Sequence, residues 1–535
     1  MDNLGLMLMK KILITDKIHP SCIEILEQNS FKVDYYPELP HEKIINTIKN
    51  YNVLLVRSAT QVNSKVIENG TNLELIGRAG AGVDNIDIEA ATRKGILVMN
   101  TPGGNTISAA EHTMAMIMSL CRNIPQANQS MKEGKWEKKK FSGMELSSKT
   151  LGVVGLGKIG KEVAQRAAAF EMKIIAFDPF LSDDIAGQLG IQLVTLDELF
   201  NKSDIITFHV PLSSETKDLI NEKNLPKLKK GVKIINCARG GVVDESAILK
   251  GIEDCIISGA AFDVFVEEPP KDLSLVKNDK VICTPHLAAS TDEAQEKVAI
   301  QLAEQIASYY NGGSPAGFVN GIAIKYLNNN QLKPYIDLSK KLGAIHGQTL
   351  DKECHNIEIE YYGEYLSEYS EVLSTSFLQG LLSSFSDTAV NLISAKHIAK
   401  ERGINLREVK SGSHKNYNNV IKAVIPEKEY LHSFEGIVSG NNLIKIIKVD
   451  DYKMEFDPAG SIIIYSNIDR PGVLARAGNL LAENNINIAG LSLSRINKGA
   501  AALTIMNIDE SVDEQVINKL RKINGIEKIN YINIQ

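Results

Sequence analysis

The sequence predicts an α/β protein with two doubly wound parallel-sheet domains, followed by an α+β domain and a small ferredoxin-like βαββαβ unit. Three observations carry this. The chain has 535 residues, room for three or four domains of roughly 150 residues each. Two successive series of short apolar runs alternate with helical segments, as parallel strands covered on both faces require. Residues 460–535 then read strand, helix, strand, strand, helix, strand, the order of a split βαβ pair.

The first series is Ile12–Ile14, Val53–Val56, Leu73–Ile76 and Ile96–Val98. The second is Leu151–Val154, Lys173–Phe177, Ile205–Phe208, Val232–Asn236, Gly259–Phe262 and Val281–Cys283. Between them, Asn105–Leu120 is an Ala/Met-rich helical stretch, capped near Thr106 or Ser108, with a hinge expected near its start. A second long helix, Ala294–Tyr310, is long enough to return to the first domain, and Gly312-Gly313-Ser314-Pro315 ends it. The expected domains are residues 9–104 with 287–320, discontinuous; 105–286 inserted between them; 324–455, with a strand near Ile357–Glu360 and a helical stretch from Val372 to Arg402; and 460–535, with strands Ser461–Tyr465, Ala489–Ser494, Ala501–Met506 and Lys528–Ile532 and helices Gly472–Asn484 and Asp513–Lys522.

Composition narrows the function. Lys and Arg number 59 against 65 Asp and Glu, a net charge of −6, which lacks the basic footprint of a nucleic-acid or anionic-membrane binder. The six cysteines are widely spaced without metal-ligand spacing, so no metal and a reducing, cytoplasmic setting are expected. The apolar opening Leu4–Met9 is too short for a secretory signal and reads as a frayed start.

Gly155-Leu-Gly157-Lys158-Ile159-Gly160 follows an apolar strand and opens a helix expected to reach about Phe170. The first glycine permits a tight turn, the second lets backbone approach a pyrophosphate, and the third lets helix and strand pack closely. The next strand ends in Asp178, where a carboxylate can take both ribose hydroxyls of an adenosine and would repel a 2′-phosphate. Together they predict an NAD-binding Rossmann domain.

Three later strand ends carry charged groups: Arg239 after Asn236, Glu268 after Asp263, and His286 after Thr284. Beside a nicotinamide, these suit oxidation of a 2-hydroxy acid. Arg239 would clamp the carboxylate through its two-pronged fork. His286 would accept the hydroxyl proton, and Glu268 would orient it and favour the imidazolium.

The cradle with Asp178, then C-A-R-G-G-V-V-D-E, D-V-F-V-E-E-P-P and P-H-L-A-A-S-T, resembles the D-2-hydroxyacid dehydrogenase family. Arg57–Thr60, Gly77–Asp87, Asn100–Thr106 and Gly134–Phe141 are similar to the family's long-form branch acting on 3-phosphoglycerate in serine biosynthesis. The resemblance implies catalytic Arg239, Glu268 and His286. It adds Ala81, Lys158, Ile159, Asp178, Val210, Cys237, Asp263 and the turn His286, Leu287, Ala288 and Ala289 as NAD contacts. Ala81 stands where relatives often carry threonine. A phosphorylated substrate needs further cations, for which Arg57 and Lys138, Lys139 and Lys140 are candidates; Arg78 and Asn105 are placed by resemblance in the cleft. It also implies an α+β intervening domain and a homodimer or homotetramer, with the lysine run near the subunit contact.

The last unit resembles an ACT domain, with L-serine the implied effector and Asn467, Asp469 and Asn487 the implied contacts. Asn467 replaces a usual histidine or tyrosine. Two other readings stand beside this one: a dehydrogenase for another 2-hydroxy acid, and an NADH-sensing co-regulator on the same fold.

Overall fold

A computed structural model describes residues 9–313, 316–350, 354–386 and 389–534. Leu4–Leu8 of the apolar opening, and Ser314 and Pro315 of the helix-ending turn, lie outside them. Among the described residues, no helix is long and apolar enough to cross a membrane.

The first sheet has five parallel strands, β1 (Lys11–Ile14), β2 (Lys32–Tyr35), β3 (Val53–Val56), β4 (Leu75–Arg78) and β5 (Leu97–Asn100), in the order β2-β1-β3-β4-β5. β3 is buried throughout, which is why its sequence is an unbroken apolar run. The return helix, Asp292–Tyr310, packs Val298, Leu302 and Ile306 onto Ile12, Val53 and Leu75 of this sheet, although some 200 residues intervene. The chain thus returns to the first sheet after the second.

The second sheet has seven parallel strands, β6 (Thr150–Val154), β7 (Lys173–Phe177), β8 (Gln192–Leu193), β9 (Ile205–Phe208), β10 (Val232–Asn236), β11 (Ile257–Phe262) and β12 (Val281–Cys283), ordered β12-β11-β10-β9-β6-β7-β8. The order reverses between β6 and β9, and in open α/β sheets ligands bind at that point, beyond the strands' carboxyl ends. The connecting helix, Thr106–Arg122, covers one face together with the cradle helix, Lys158–Ala169. Its N-cap is Asn105, without a side-chain cap bond. Thr106, expected as a cap, is the first helical residue and donates its hydroxyl to Gly103 O.

The third sheet is mixed: β13 (Asn356–Tyr362), β14 (Asn405–Ser411), β15 (Val420–Val424), β16 (Ser433–Ser439), β17 (Leu443–Val449) and β18 (Tyr452–Phe456), with β13 and β14 parallel and the other pairs antiparallel. Two helices, Lys333–Gln348 and Ser370–Ser383, pack against it. The single helical stretch expected from Val372 to Arg402 is two helices, Ser370–Ser383 and Ala395–Glu401; residues 387 and 388 lie outside the described residues. Just ahead of the second helix, Asn391 Oδ1 accepts from Ile393 N and Ser394 N, a side-chain turn of the kind that competes with helix. Helix Lys333–Gln348 was not expected, although Pro334 at its first turn is a start signal.

The fourth sheet, β19 (Gly460–Ile468), β20 (Ile488–Arg495), β21 (Ala501–Ile508) and β22 (Ile526–Ile534), is antiparallel in the order β20-β21-β19-β22. Helices Val473–Glu483 and Glu514–Arg521 complete the βαββαβ unit. Alternation splits its core, because successive strand residues face opposite sides. Ile463, Tyr465 and Met506 pack under those helices, whereas Ile462, Ile464 and Ile505 join the core of the mixed domain. Gln348 extends that junction, donating Nε2–H to Asn533 O (2.9 Å) and accepting from Asn533 N (2.8 Å), as a neighbouring strand would.

Candidate active site

The cradle forms where β6 meets its helix. Gly155 has φ 91°, a left-handed conformation that favours glycine, and a Cβ there would fall 2.7 Å from His209 O and from Val210 Cγ1 at the end of β9. A Cβ on Gly160 would lie far inside contact distance of Gly155 O, so this glycine sets how closely helix and turn approach. Gly157 differs: its backbone is extended and no atom lies within 4 Å of where a Cβ would be. This opening stands at the start of a twelve-residue helix, whose unpaired N–H groups and dipole favour an anion. The residues present therefore fit a dinucleotide's pyrophosphate.

Asp178 closes the cradle. Its Oδ2 accepts from Leu156 N (2.8 Å) and its Oδ1 from Phe180 N (2.9 Å), so the carboxylate is fixed at the end of β7. Ile159, in the first turn of the cradle helix, is half-buried against the core beneath it. Lys158, exposed at that helix's first turn, donates to Pro102 O (3.2 Å) on the other domain. Burial, with Asp263 nearby, pushes the Cys237 thiol up to about 12, so no thiolate is present at neutral pH.

Glu268 Oε2 lies 2.7 Å from His286 Nδ1, and Oε1 accepts from Phe265 N (3.0 Å). A carboxylate can only accept, so Nδ1 carries a proton and Nε2 is left to exchange one. The Glu268 hydrogen bond raises the imidazole pKa above its usual 6.5, overcoming desolvation and the Arg239 charge. Desolvation pushes Glu268 up, but its bonds to His286 and Phe265 N–H hold it below the usual carboxylate range.

Asp263, expected as an NAD contact, is fully buried and serves the turn carrying His286. It accepts from Thr284 Oγ1 (2.6 Å), Leu287 N (2.7 Å) and Ala288 N (2.9 Å). Ala289 follows in the same turn.

Across the cleft, the loop after β4 meets Arg239. Arg239 Nε lies 3.1 Å from Asp84 Oδ2, and a Cβ on Gly82 would run into the guanidinium. On Gly80 it would fall 2.5 Å from an Arg78 guanidinium nitrogen. Ala81, between them, accepts from Asn100 Nδ2 (2.5 Å). Burial first, then the positive charges of Arg239 and Arg57, bring Arg78 down to about 10, still a cation at neutral pH. Asn85 ties two of the three together, accepting from Arg78 Nε (3.0 Å) and donating to Arg57 O (2.7 Å). Asp16 fixes the Arg57 turn by accepting from Arg57 N (2.6 Å). Arg78 is thus repelled by both Arg57 and Arg239 at a cleft where an anion would relieve it.

Not every candidate joins this cluster. Lys138, Lys139 and Lys140 occupy an exposed turn, where Lys140 reaches Glu137 (3.7 Å) and the Phe141 ring (5.6 Å) instead of the arginines. Asn105 Oδ1 is buried without a hydrogen-bond partner among the described residues. In the fourth unit Asn467 points inward, accepting from Thr504 Oγ1 (3.0 Å). Asp469 Oδ2 pairs with Arg495 (2.5 Å), and Asn487 donates to Asp509 (2.6 Å). Asp16, Asp84, Asn85, Thr284 and His112 carry no local sequence signal of a role; Asp84 and Asn85 lie inside Gly77–Asp87, but only folding brings them to Arg239 and Arg57.

Residues 114–288 match the family described as D-isomer specific 2-hydroxyacid dehydrogenase, NAD binding domain. Residues 331–450 match the D-3-phosphoglycerate dehydrogenase intervening domain, and residues 461–525 match the ACT domain. Among solved structures, a D-lactate dehydrogenase from Aquifex aeolicus, complexed with NAD and lactic acid, aligns with a TM-score of 0.52 at 31% identity, covering 58% of this chain and 98% of that one. The fold and these matches define an NAD-binding D-2-hydroxyacid dehydrogenase.

A D-3-phosphoglycerate dehydrogenase from Methanocaldococcus jannaschii is 42% identical over 98% of this chain and 100% of its own length. One from Bacillus subtilis is 37% identical over 98% and 100%, and one from Homo sapiens 45% identical over 74% and 75%. The chain belongs to the D-3-phosphoglycerate dehydrogenase branch of that family, in the form with intervening and ACT domains.

Proposed function

We propose that the protein oxidises D-3-phosphoglycerate to 3-phosphohydroxypyruvate with NAD, the first step of L-serine biosynthesis. The observation that carries this is the Glu268–His286 pair at the same cleft as Arg57, Arg78 and Arg239. Arg239 binds the substrate carboxylate, while Arg57 and Arg78 hold the phosphate. His286 Nε2 takes the C2 hydroxyl proton, and Glu268 stabilises the imidazolium that results. In the reverse direction the same nitrogen donates to the keto oxygen. Bound NAD supplies the ring that accepts a hydride from C2. Gly155, Gly157, Gly160 and Asp178 hold it, and the Asp178 carboxylate selects against a 2′-phosphate.

Purified protein with NADH and 3-phosphohydroxypyruvate should consume NADH, with glyoxylate and 2-oxoglutarate poorer by on the order of a hundredfold in kcat/KM for want of the phosphate contacts. Equal rates on all three would refute the phosphate assignment. NADH binding without turnover would favour a sensor. The ACT domain supports effector binding, and we assign L-serine as the effector, at Asp469 and Asn487. The lysine run, exposed beside Trp136, we place at the contact between copies of a homodimer or homotetramer.

A further inference from the structure

The helix that connects the two α/β domains also grips the turn bearing His286. Ser108 Oγ donates to Ala288 O (2.7 Å). One helical turn later, His112 Nε2 lies 3.2 Å from both Asp263 Oδ1 and Thr284 Oγ1. A further turn on, Met116 Sδ lies 3.9 Å from Thr284 Oγ1. Residues at this spacing share one face of a helix, and all three touch the segment Asp263 to Ala288 that surrounds the acid–base histidine.

That segment is held in a costly shape. His286 has φ 54°, a left-handed conformation that a residue with a Cβ rarely adopts. It persists because His286 N donates to Asp263 O (2.9 Å) while the Asp263 carboxylate collects the N–H groups of Leu287 and Ala288. Asp263 is itself fixed from the helix side by His112, which must carry its proton on Nε2 to face a carboxylate. The helix starts immediately after Gly103-Gly104-Asn105, beside the carbonyl of Pro102 that receives Lys158 from the cradle, so it stands at the joint between the domains.

We propose that Ser108 and His112 are positioning residues forming a latch: they lock the His286 turn to the connecting helix, so that the proton-transfer nitrogen is in register with the arginine cleft only when the two domains are correctly seated. His112 acts through Asp263 and touches neither substrate nor cofactor. The latch rests on the reading of His286 as the acid–base group. It predicts a loss confined to turnover, because a turn displaced by even an ångström misaligns the proton transfer while Arg239 and the cradle still bind.

The test is steady-state reduction of 3-phosphohydroxypyruvate by the full-length protein, with NADH binding followed by nicotinamide fluorescence. Ser108→Ala and His112→Leu should each lower kcat about 10- to 100-fold, with KM and the NADH dissociation constant within about threefold of the parent. His112→Gln, which restores an N–H donor at similar reach, should recover most of the kcat. The latch is overturned if Ser108→Ala and His112→Leu both keep kcat within about twofold, or if His112→Gln is as impaired as His112→Leu. Should His112→Leu fail to fold, Ser108→Ala and His112→Gln decide by the same criteria. His286→Ala, run alongside, separates the two ideas: an inactive His286→Ala with fully active latch variants defeats the latch alone, whereas turnover by His286→Ala defeats the underlying acid–base reading and the latch with it.

Discussion

Glu268 Oε2 and His286 Nδ1 stand 2.7 Å apart, with both side chains still partly open to solvent. The pair fixes which imidazole nitrogen is left for chemistry, and it ties activity and stability to pH. His286 is raised in the folded state, so its contribution to stability is complete below 6.5 and is lost as pH climbs through the folded value. Glu268 is lowered, so its contribution is complete above 4.5 and is lost as pH falls through the folded value. The pair therefore stabilises the fold between those two titrations.

For catalysis, oxidation needs neutral His286. The acid limb of kcat/KM for oxidation should lie above 6.5, and Glu268→Gln should move it down while lowering kcat on the order of tenfold, as expected when a charged acceptor becomes neutral. A pH profile of both proteins measures this; an unmoved limb would show that Glu268 does not tune the imidazole.

Arg239→Lys keeps the charge but loses the planar fork and the fit against Gly82 and Asp84. Losing a charge-assisted hydrogen bond costs about 1.5–3 kcal/mol, so kcat/KM should fall about 10- to 100-fold. NADH affinity should hold, as fluorescence titration would show.

Gly157→Ala and Gly160→Ala should separate binding from folding. The extended Gly157 has open space at its Cβ, so the alanine protein should melt no lower than the parent yet bind NADH more weakly, its methyl occupying room for the pyrophosphate. Gly160→Ala forces a methyl onto Gly155 O and should destabilise by about 1–3 kcal/mol. Calorimetry with and without NADH distinguishes them, and equal melting losses would contradict this geometry.

Arg495 competes for Asp469, one of the two residues proposed to bind L-serine. Arg495→Ala should tighten L-serine binding by up to about fivefold, the worth of an exposed ion pair. Calorimetric titration reads it; weaker binding would place Arg495 in the effector site itself.

By itself the sequence determined the elements whose signals are local: the apolar runs of β3 and β9, the spacing of Gly155, Gly157 and Gly160, and the βαββαβ order of the last unit. Arg239, Glu268 and His286 were legible as candidates because each follows a strand end. Helix Lys333–Gln348 and the break before Ala395 were missed, one with a weak start signal and the other closing on a turn bonded to the Asn391 side chain. Tertiary structure alone decided that Asp84 meets Arg239, that Arg57 and Arg239 repel Arg78, and that Ser108 and His112 reach the turn of His286. The physical reason is range. Backbone and periodicity signals act over a few residues, whereas charges and hydrogen bonds act through space between segments some 150 residues apart in the chain, and only the packed fold sets those distances.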